Sequence, residues 1–569
     1  MLGSNAEENS TPQPRAGRRA RIAFVVVMLA LLVAQALWAA LTNSATFDES
    51  EHVASGLAAL RTGDFRLSVA HPPLMDMLCA IPVALAGAPP LPLDSDAWAT
   101  ASHLGFSNRY FWHGPAAPSA PRLILLARLP VILVSVGLAL LVFVWARRLY
   151  GWPAAALALG LYCFEPNVLA HSSVATNDIA MSAATLLFAL AYWRYLRAPG
   201  KARLALAGIA LGVGLLAKFS GVLLLAVLPV LALIHGMAAR RSGDAGRLSA
   251  GRLVGGMVVI VAIAGLVVWA GYGFGVQRIL WAQGAPRLPA GQYLLGVLHQ
   301  TYHQQTGQLA YLFGRVSMTG WWYYFPVAFA LKTALPFLVL LAIAIGLRRF
   351  SRDEAFLIAP VAVLFAAAMA QKLNYGVRHV LPIYPLLIIF AARAVARPWP
   401  AARPRWGRAL VGALAVWVVI EAAVYAPQYI PYFNELAGGP AGGSRYVIDS
   451  NLDWGQDLKR LAAWQRKHPE AALYLSYFGT ADPSRYGVRA GALPGFASNW
   501  QRDPAPFPDD GWVAISANCL KYDLHQMPPG DRSWSWLEAY RPVDRAGHSI
   551  RVYRLTPGMA PHAPSRAPS

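Results

Sequence analysis

An acidic pair at the end of a long apolar segment is the first place in this chain where chemistry is expected. Asp48 and Glu49 follow residues 22–47, which carry no formal charge, and Glu51 and His52 come directly after. Charged side chains at a membrane boundary cost free energy unless they are paired or functional. An ionised carboxylate at an aqueous boundary can act as a general base. The pair therefore predicts proton abstraction from a hydroxyl group.

Cations and aromatic residues recur where other apolar segments end. Arg, Lys and His near lipid headgroups can hold a phosphate through charge-assisted hydrogen bonds. Aromatic residues at the same depth offer stacking faces for sugar rings. The set predicts a lipid-phosphate donor that enters from the bilayer and an acceptor that a carboxylate deprotonates. Its members are His71, His171, Asp178, Lys218, Trp321, Trp322, Lys332, Arg378 and His379.

Simpler explanations exist for the same residues. An Asp-Glu pair is also favoured at the first turn of a helix by capping and by the helix dipole. Arg378 and His379 could anchor a helix end in the headgroups, although an anchor on the outer side runs against the positive-inside bias. The run Trp321-Trp-Tyr-Tyr324 is typical of an aromatic belt.

The composition indicates a membrane protein. Of the 569 residues, 56% are hydrophobic and only 14% are charged, whereas soluble domains carry about 25% charged residues. The apolar residues fall in blocks of about 20, the length of a membrane-spanning helix. The net charge of +21 comes from short basic clusters between these blocks. Such clusters orient helices, so no nucleic-acid partner is predicted.

One assignment of the spans places every large basic cluster on the cytoplasmic side. Residues 1–21 form a disordered basic N-terminus, and residues 22–425 form the transmembrane domain. Residues 48–121 are then an external loop with juxtamembrane helices, because the apolar piece at 72–90 cannot be a span. About eleven spans are predicted, with the fifth and sixth short. They are residues 22–47, 123–146, 153–170, 179–192, 204–217, 221–235, 254–271, 326–346, 356–370, 380–392 and 410–425.

The chain changes character after residue 425. Mixed charge and short alternating segments at 473–477 and 511–515 predict a small external α/β domain at 426–557, followed by a disordered tail at 558–569. The spacing of Asp449, Asn451 and Asp453 imitates a calcium loop. However, Trp454 stands where glycine is needed and Arg460 where a bidentate Glu belongs. No metal site is predicted, and the three cysteines have neither metal-ligand nor disulfide spacing.

Several short motifs together resemble one enzyme superfamily. Over about residues 20–425 the chain resembles the protein O-mannosyltransferases and aminoarabinose transferases, family-39-like enzymes with the glycosyltransferase C fold. The motifs are Phe47-Asp-Glu49, Gly63-Asp64, His71-Pro-Pro-Leu74, Ala170-His-Ser172, Thr176-Asn-Asp178, Ala217-Lys-Phe-Ser-Gly221 and Asn374-Tyr-Gly-Val-Arg-His-Val-Leu-Pro382.

The resemblance implies inverting transfer of a sugar from a polyprenyl-phosphate donor to the hydroxyl of a protein, lipid or envelope glycan. Asp48 would be the general base, and Glu49 would orient the acceptor or the backbone. The donor phosphate would be held by Arg378, with His379, His71, Lys218 and Lys332 as further candidates. The aminoarabinose transferases have Lys before Pro-Pro, where this chain has His71.

The residues and the topology together predict further site residues and a location. The substrate-binding set would be Asp178, His171, Trp321 and Trp322. No cofactor is implied, and a divalent metal is not indicated. The expected location is the bacterial inner membrane, in contact with its lipids, with the active site and the C-terminal domain on the periplasmic side.

Two other classes of function compete with this one. A transporter or flippase of a lipid-linked sugar would also span the membrane many times, but internal repeats and charged midplane helices are typical of that class. The chain shows neither a clear repeat nor a midplane carboxylate pair. A glycan-binding scaffold is the second alternative, with the C-terminal domain as its working part.

Overall fold

The computed structural model describes residues 15–242, 248–278, 286–347, 350–396, 404–493, 510–522 and 534–559. The predicted disordered termini lie largely outside these ranges, at 1–14 and 560–569. The first helix begins at Arg15, so residues 15–21 of the predicted N-terminal segment belong to it.

Helices form most of the molecule. Their bounds are α1 Arg15–Thr42, α2 Glu49–Thr62, α3 Pro73–Leu85, α4 Asp96–Ala99, α5 His103–Phe111, α6 Ala120–Tyr150, α7 Trp152–Phe164, α8 Pro166–Ser172, α9 Asp178–Arg197, α10 Lys201–Ala217, α11 Leu223–Ser242, α12 Ala250–Gly271, α13 Gly291–Thr306, α14 Tyr324–Lys332, α15 Leu335–Gly346, α16 Arg352–Ala370, α17 Tyr384–Ala391, α18 Arg393–Ala396, α19 Pro404–Tyr425, α20 Gly439–Gly443, α21 Leu458–Lys467 and α22 Ala517–Tyr522. Short 3-10 segments occur at Ala117–Ser119, Phe219–Val222, Val377–Ile383, Glu435–Ala437, Asp449–Asn451, Pro483–Tyr486 and Ser535–Ala539.

Each predicted span coincides with a helix or with a bent pair of helices. Within the described ranges, 8 helices are long and apolar enough to cross a membrane, and counting each bent pair as one span gives 10. The pair α7–α8 bends by 59° and the pair α14–α15 by 111°. The remaining predicted span, the fifth, is α10, which has 17 residues and extends only about 25 Å.

The segment between α1 and α6 folds into the helices α2 to α5. The apolar piece predicted not to span is α3, which has 13 residues and is too short to cross a bilayer. α2 packs on α3 and α5, and α3 packs on α6. Gly56 permits the first contact, because a Cβ there would lie 1.9 Å from the backbone oxygen of Asp76.

A mixed five-stranded sheet forms the core of the C-terminal region. Its order is β6-β5-β7-β9-β8, with β5 parallel to both β6 and β7, and with β9 antiparallel to both β7 and β8. The strands β5 and β7 fall where the sequence predicted them. The strands are β1 Val276–Arg278, β2 Arg287–Pro289, β3 Ala310–Leu312, β4 Arg315–Ser317, β5 Leu473–Ser476, β6 Gly491–Ala492, β7 Gly511–Ser516, β8 Asp544–Ala546 and β9 Ile550–Leu555.

Two long helices have polar residues at one end and basic residues at the other. α9 begins at Asp178 and carries Arg194 and Arg197 in its last turn. α6 buries Arg128 near its beginning and carries Arg147 and Arg148 in its last turn. Because 20 helical residues span about 30 Å, the basic end of α9 lies a bilayer thickness from Asp178.

Candidate active site

A cavity of about 760 Å³ lies where the bundle meets α13 and the C-terminal region. Part of its wall is apolar and comes from the bundle. These residues are Met181, Val222, Leu223, Leu364, Ala367, Ala368, Pro382 and Ile383. The titratable lining residues are Asp48, Glu51, His71, His103, Asp178, Lys218, His299, His303, Tyr375, Arg378, His379 and Asp449.

Asp48 directs its side chain into this cavity. It occupies the N-cap position of α2, yet its side chain makes no capping hydrogen bond. Instead, Nη1 of Arg378 donates to Oδ2 of Asp48 at 2.6 Å. The side chain of Asp48 is 17% exposed and that of Arg378 13%. Helix capping therefore does not account for Asp48, and its carboxylate remains accessible from the cavity.

Arg378 has hydrogen-bond donors left for a ligand. Its guanidinium lies 4.4 Å from the ring centroid of Trp454, so an aromatic face covers one side of the cation. Within the described ranges, its buried Nε has no hydrogen-bond partner. Because a guanidinium carries five N–H groups, Arg378 can hold Asp48 and still donate to an anion in the cavity.

A second ion pair lies across the cavity. Asp178 is the first residue of α9, and Lys218 directly follows α10. The Lys218 Nζ donates to Oδ1 of Asp178 at 2.6 Å. Behind this pair His171 is buried, with Nδ1 3.7 Å from Oδ2 of Asp178. Asp178 and Lys218 thus line the cavity, whereas His171 does not.

Part of the chain matches a known protein family. Residues 123–269 match the family model described as dolichyl-phosphate-mannose-protein mannosyltransferase. Over 72% of this chain and 90% of that chain, the fold is similar to the S. cerevisiae protein O-mannosyltransferase Pmt1-Pmt2 complex bound to the sugar donor, with a TM-score of 0.50 and 11% identity. This chain is a multi-span membrane protein with the glycosyltransferase C fold. The predicted fold class and the predicted resemblance are confirmed.

Other solved structures of similar architecture give lower scores. ArnT from Cupriavidus metallidurans, bound to undecaprenyl phosphate, is 14% identical with a TM-score of 0.47, over 96% of this chain and 100% of that chain. The archaeal oligosaccharyltransferase AglB from Archaeoglobus fulgidus, in complex with an inhibitory peptide and a dolichol-phosphate, is 14% identical with a TM-score of 0.42, over 87% and 62%. No curated protein sequence matches the chain.

The structure corrects the prediction for Glu49. Glu49 is fully buried and does not line the cavity. Arg128 donates to both of its carboxylate oxygens at 2.7 Å. The backbone nitrogens of Thr46 and Ala175 donate to it at 2.8 and 2.7 Å. Glu49 therefore joins the start of α2 to α6 and to the turn before α9, and it has no free face for an acceptor.

Lys332 does not meet the cavity either, contrary to the prediction that it binds phosphate. It is buried where the pair α14–α15 bends. Its Nζ donates to the backbone oxygens of Ile430 at 2.8 Å and of Asn451 at 2.6 Å. The ammonium group is thus used to hold the segment after α19 against the bundle.

The two predicted tryptophans also lie outside the cavity lining. Trp322 is 67% exposed, as an aromatic belt residue would be. The backbone nitrogen of Trp321 donates to Oδ1 of Asn374 at 2.8 Å, which fastens the chain before α14 to the segment before Arg378. The belt explanation therefore fits these residues better than sugar binding.

The surroundings of His71 lower its pKa and so favour the neutral form. His52 Nδ1 lies 2.7 Å from Oδ1 of Asp76, and the His52 ring stacks on His71 at 4.5 Å. Burial alone would lower the pKa of His52, but the Asp76 carboxylate outweighs it and the pKa rises to about 9. Burial and this neighbouring cation hold the pKa of His71 well below 6.5. His71 can therefore offer a hydrogen bond but no charge.

The His52–Asp76 pair predicts a loss of stability as the pH rises. Folded His52 keeps its proton to about pH 9, whereas a free histidine loses it near 6.5. The folded state binds more protons between these values, so its stability falls there, by on the order of 3 kcal/mol. In Asp76→Asn the apparent melting temperature in detergent should lose most of this pH dependence. The exposed Glu470→Gln serves as the control. If the pH dependence of Asp76→Asn were unchanged, the His52–Asp76 pair would not be its source.

Sequence reasoning missed a large part of the polar wall. Glu51 lines the cavity, and burial raises its pKa to about 8. His103 Nε2 lies 3.5 Å from Oε1 of Glu51. From α13, His299 and His303 also line the cavity. Their spacing of four residues, which places both on one helix face, was the available signal for this wall.

The calcium-like spacing has a different explanation in the fold. Asp449 lines the cavity, whereas Oδ1 of Asn451 accepts from the backbone of Val377 at 2.9 Å. Oδ2 of Asp453 accepts from the backbone of Asn518 at 3.0 Å. The three side chains diverge, and no cluster of three or more His, Cys, Asp or Glu suited to a metal ion occurs in the described part of the chain.

Proposed function

We propose that this protein transfers a sugar from a polyprenyl-phosphate donor to an acceptor hydroxyl, with inversion at the anomeric carbon. The Asp48–Arg378 pair carries this proposal, because it places a carboxylate and a cation with spare N–H groups in one cavity. The apolar wall from the bundle suits the lipid chain of such a donor. The family matched by residues 123–269 is described by a lipid-phosphate sugar, which supports this donor class.

The reaction needs a base and a stabilised leaving group. Asp48 takes the proton of the acceptor hydroxyl as the oxygen attacks the anomeric carbon. The bond from that carbon to the phosphate oxygen breaks, and its electron pair leaves with polyprenyl phosphate. Attack from the face opposite the phosphate inverts the configuration. The N–H groups of Arg378 stabilise the charge on the leaving phosphate, and Asp48 then releases its proton to water.

Other cavity residues assist in positioning and charge. Lys218 adds positive charge to the wall, and Asp178 fixes its ammonium group. His71 is a neutral donor on the same wall, and His379 lies beside Gln371, with Nδ1 3.3 Å from Nε2. We assign Lys218, His71 and His379 to the donor phosphate, and Asp178 to the substrate pocket.

The proposed location is the bacterial inner membrane, with the cavity on the periplasmic side. The basic last turns of α6 and α9 lie at the opposite end of the bundle from Asp48, and basic residues favour the cytoplasmic side. In this orientation the transmembrane domain at 22–425 presents its cavity outward, and the domain at 426–557 covers it from outside. The acceptor is a hydroxyl of a protein Ser or Thr, a lipid or an envelope glycan.

The experiment follows a radioactive label on the sugar from the donor to the product. Purified full-length protein in proteoliposomes is given radiolabelled decaprenyl-phosphate sugars and the envelope fraction of a deletion strain. Transfer of label to protein, lipid or glycan, with release of decaprenyl phosphate and inverted stereochemistry, supports the proposal. Movement of labelled lipid across the bilayer without transfer would contradict it and support a flippase.

Arg378→Gln is expected to weaken the binding of decaprenyl phosphate about 10- to 100-fold, the equivalent of one or more lost charge-assisted hydrogen bonds. Arg378→Lys keeps the charge but loses the planar fork, so an intermediate loss is expected. Binding is measured by titration of the protein in nanodiscs. The control is Arg122→Gln, which removes an exposed arginine at the start of α6. Equal affinity of Arg378→Gln and the wild type would exclude Arg378 from the phosphate site.

A further inference from the structure

The C-terminal region contributes its own side chains to the cavity. Asp449, Trp454 and Phe478 line it together with Asp48 and Arg378. All three lie beyond the last spanning helix, α19, and beyond the part of the chain that matches the mannosyltransferase family. This part of the cavity wall therefore belongs to the C-terminal region, to which the proposed reaction assigns no role.

The backbone at Asp449 is held in an uncommon conformation. Its φ is 61°, in the left-handed region that non-glycine residues seldom occupy. The Asp449 backbone nitrogen donates to Oδ1 of Asn518 at 2.8 Å, and the Ser450 nitrogen donates to Oδ1 of Asp449 at 2.6 Å. Ser450 Oγ in turn donates to the backbone oxygen of Tyr375 at 2.9 Å. Conformations of this kind are enriched at functional sites, where the surroundings enforce them.

This turn is fixed against the segment that carries Arg378. A Cβ on Gly376 would lie 2.4 Å from Oγ of Ser450, so the Ser450 side chain packs where a larger residue at 376 would not fit. The Trp454 ring covers the guanidinium of Arg378 from the same side. Asp449 therefore has a defined position relative to the proposed phosphate site.

The Asp449 carboxylate has unused acceptor capacity. The residue is only 8% exposed, and Oδ2 receives a single long hydrogen bond, from the Tyr522 hydroxyl at 3.4 Å. No Lys, Arg or His of the described ranges forms an ion pair with it. A carboxylate offers about four acceptor positions, and leaving them unfilled in a buried site is costly. Burial accordingly raises the pKa of Asp449 to about 6, although Arg378 opposes the rise.

We propose that Asp449 binds hydroxyl groups of the donor sugar, so that the C-terminal region completes the sugar subsite and helps to select the sugar. This inference rests on the proposed function, in which Arg378 holds the donor phosphate. The sugar of such a donor is bonded directly to that phosphate and must lie beside it. Asp48, Asp449 and Arg378 line one cavity, so a sugar next to the phosphate at Arg378 would lie near Asp449. Trp454 and Phe478 supply the adjacent aromatic wall.

The test compares two lipids that differ only in the sugar. Full-length protein in nanodiscs is titrated with decaprenyl phosphate and with a panel of decaprenyl-phosphate hexoses and pentoses. Asp449→Asn and Asp449→Gly are the variants, because Asn and Gly both tolerate a left-handed φ. We expect each variant to weaken binding of the preferred sugar lipid about tenfold or more. Binding of bare decaprenyl phosphate should not change, and the exposed Glu470→Gln serves as control.

The outcomes separate this inference from the proposed function. An equal loss for both lipids, or no loss for either, would overturn the sugar contact of Asp449. A loss of binding that is confined to the sugar lipids supports the sugar contact of Asp449. The donor KM should then rise more than kcat falls, and the preference among the sugars of the panel should become weaker. Failure of the proposed function is recognised independently, because bare decaprenyl phosphate would then bind equally well to the wild type and to Arg378→Gln.

Discussion

Asp48→Asn is expected to lower sugar transfer by about 100- to 10,000-fold, the usual contribution of a general base, while the protein still folds and binds decaprenyl phosphate. Asn has nearly the same shape as Asp and can still accept the hydrogen bond from Nη1 of Arg378, but it cannot take a proton at neutral pH. The side chain does not cap α2, so the substitution removes no capping interaction. Transfer is measured with radiolabelled donor and the melting temperature in detergent.

The neighbouring carboxylate Glu51 gives the matched control. Glu51 lines the same cavity, and its pKa is raised to about 8 by burial, so at pH 7 it is largely protonated and resembles Gln. Glu51→Gln should therefore reduce transfer far less than Asp48→Asn. Near-normal transfer by Asp48→Asn would remove Asp48 from the mechanism, and the opposite ranking of the two variants would assign the base to Glu51.

The spans were predictable because hydropathy and charge are local properties of the chain. Apolar blocks of about 20 residues and the basic clusters between them fix most helices, and the turn between the fifth and sixth spans places Lys218 correctly after α10. The juxtamembrane helix α3 followed from the same reasoning, since a span there would have inverted the later loops. Strands β5 and β7 were recognisable from alternation alone.

The pairing of charges was not predictable, because it depends on residues far apart in the chain. Asp48 and Arg378 are 330 residues apart, and the sequence placed them on one membrane face without joining them. Lys332 was misassigned because hydropathy does not reveal the 111° bend that turns it under the C-terminal region. The position of Asp449 depends on a left-handed φ, which the calcium-like spacing does not indicate.

One long-range partner did leave a sequence signal. Arg128 lies inside the predicted second span, where an unpaired charge is costly and a buried partner is expected. Arg128 takes Glu49, and its guanidinium also donates to the backbone oxygens of Asn43 and Ser44 at the end of α1. Glu49 therefore pairs with Arg128, while Asp48 lines the cavity.

Glu49→Gln is expected to cost about 3–5 kcal/mol of stability, the usual effect of removing one partner from a buried ion pair. Both members of the Glu49–Arg128 pair are fully buried, so the remaining guanidinium would keep its charge without a counter-ion. The bonds from Thr46 and Ala175 to the carboxylate would weaken as well. The start of α2, which carries Asp48, would lose its attachment to α6 and to the turn before α9.

The measurement is the unfolding of each variant in detergent, followed by tryptophan fluorescence. Adding Arg128→Met to Glu49→Gln should restore part of the loss, because the double variant no longer buries an unpaired charge. Asp48→Asn changes the neighbouring residue and should lose transfer while its melting temperature stays unchanged. Glu49→Gln should mainly lower the melting temperature. If Glu49→Gln instead melted like the wild type and failed only in transfer, Glu49 would return to the catalytic residues and the structural role assigned to its pair would be wrong.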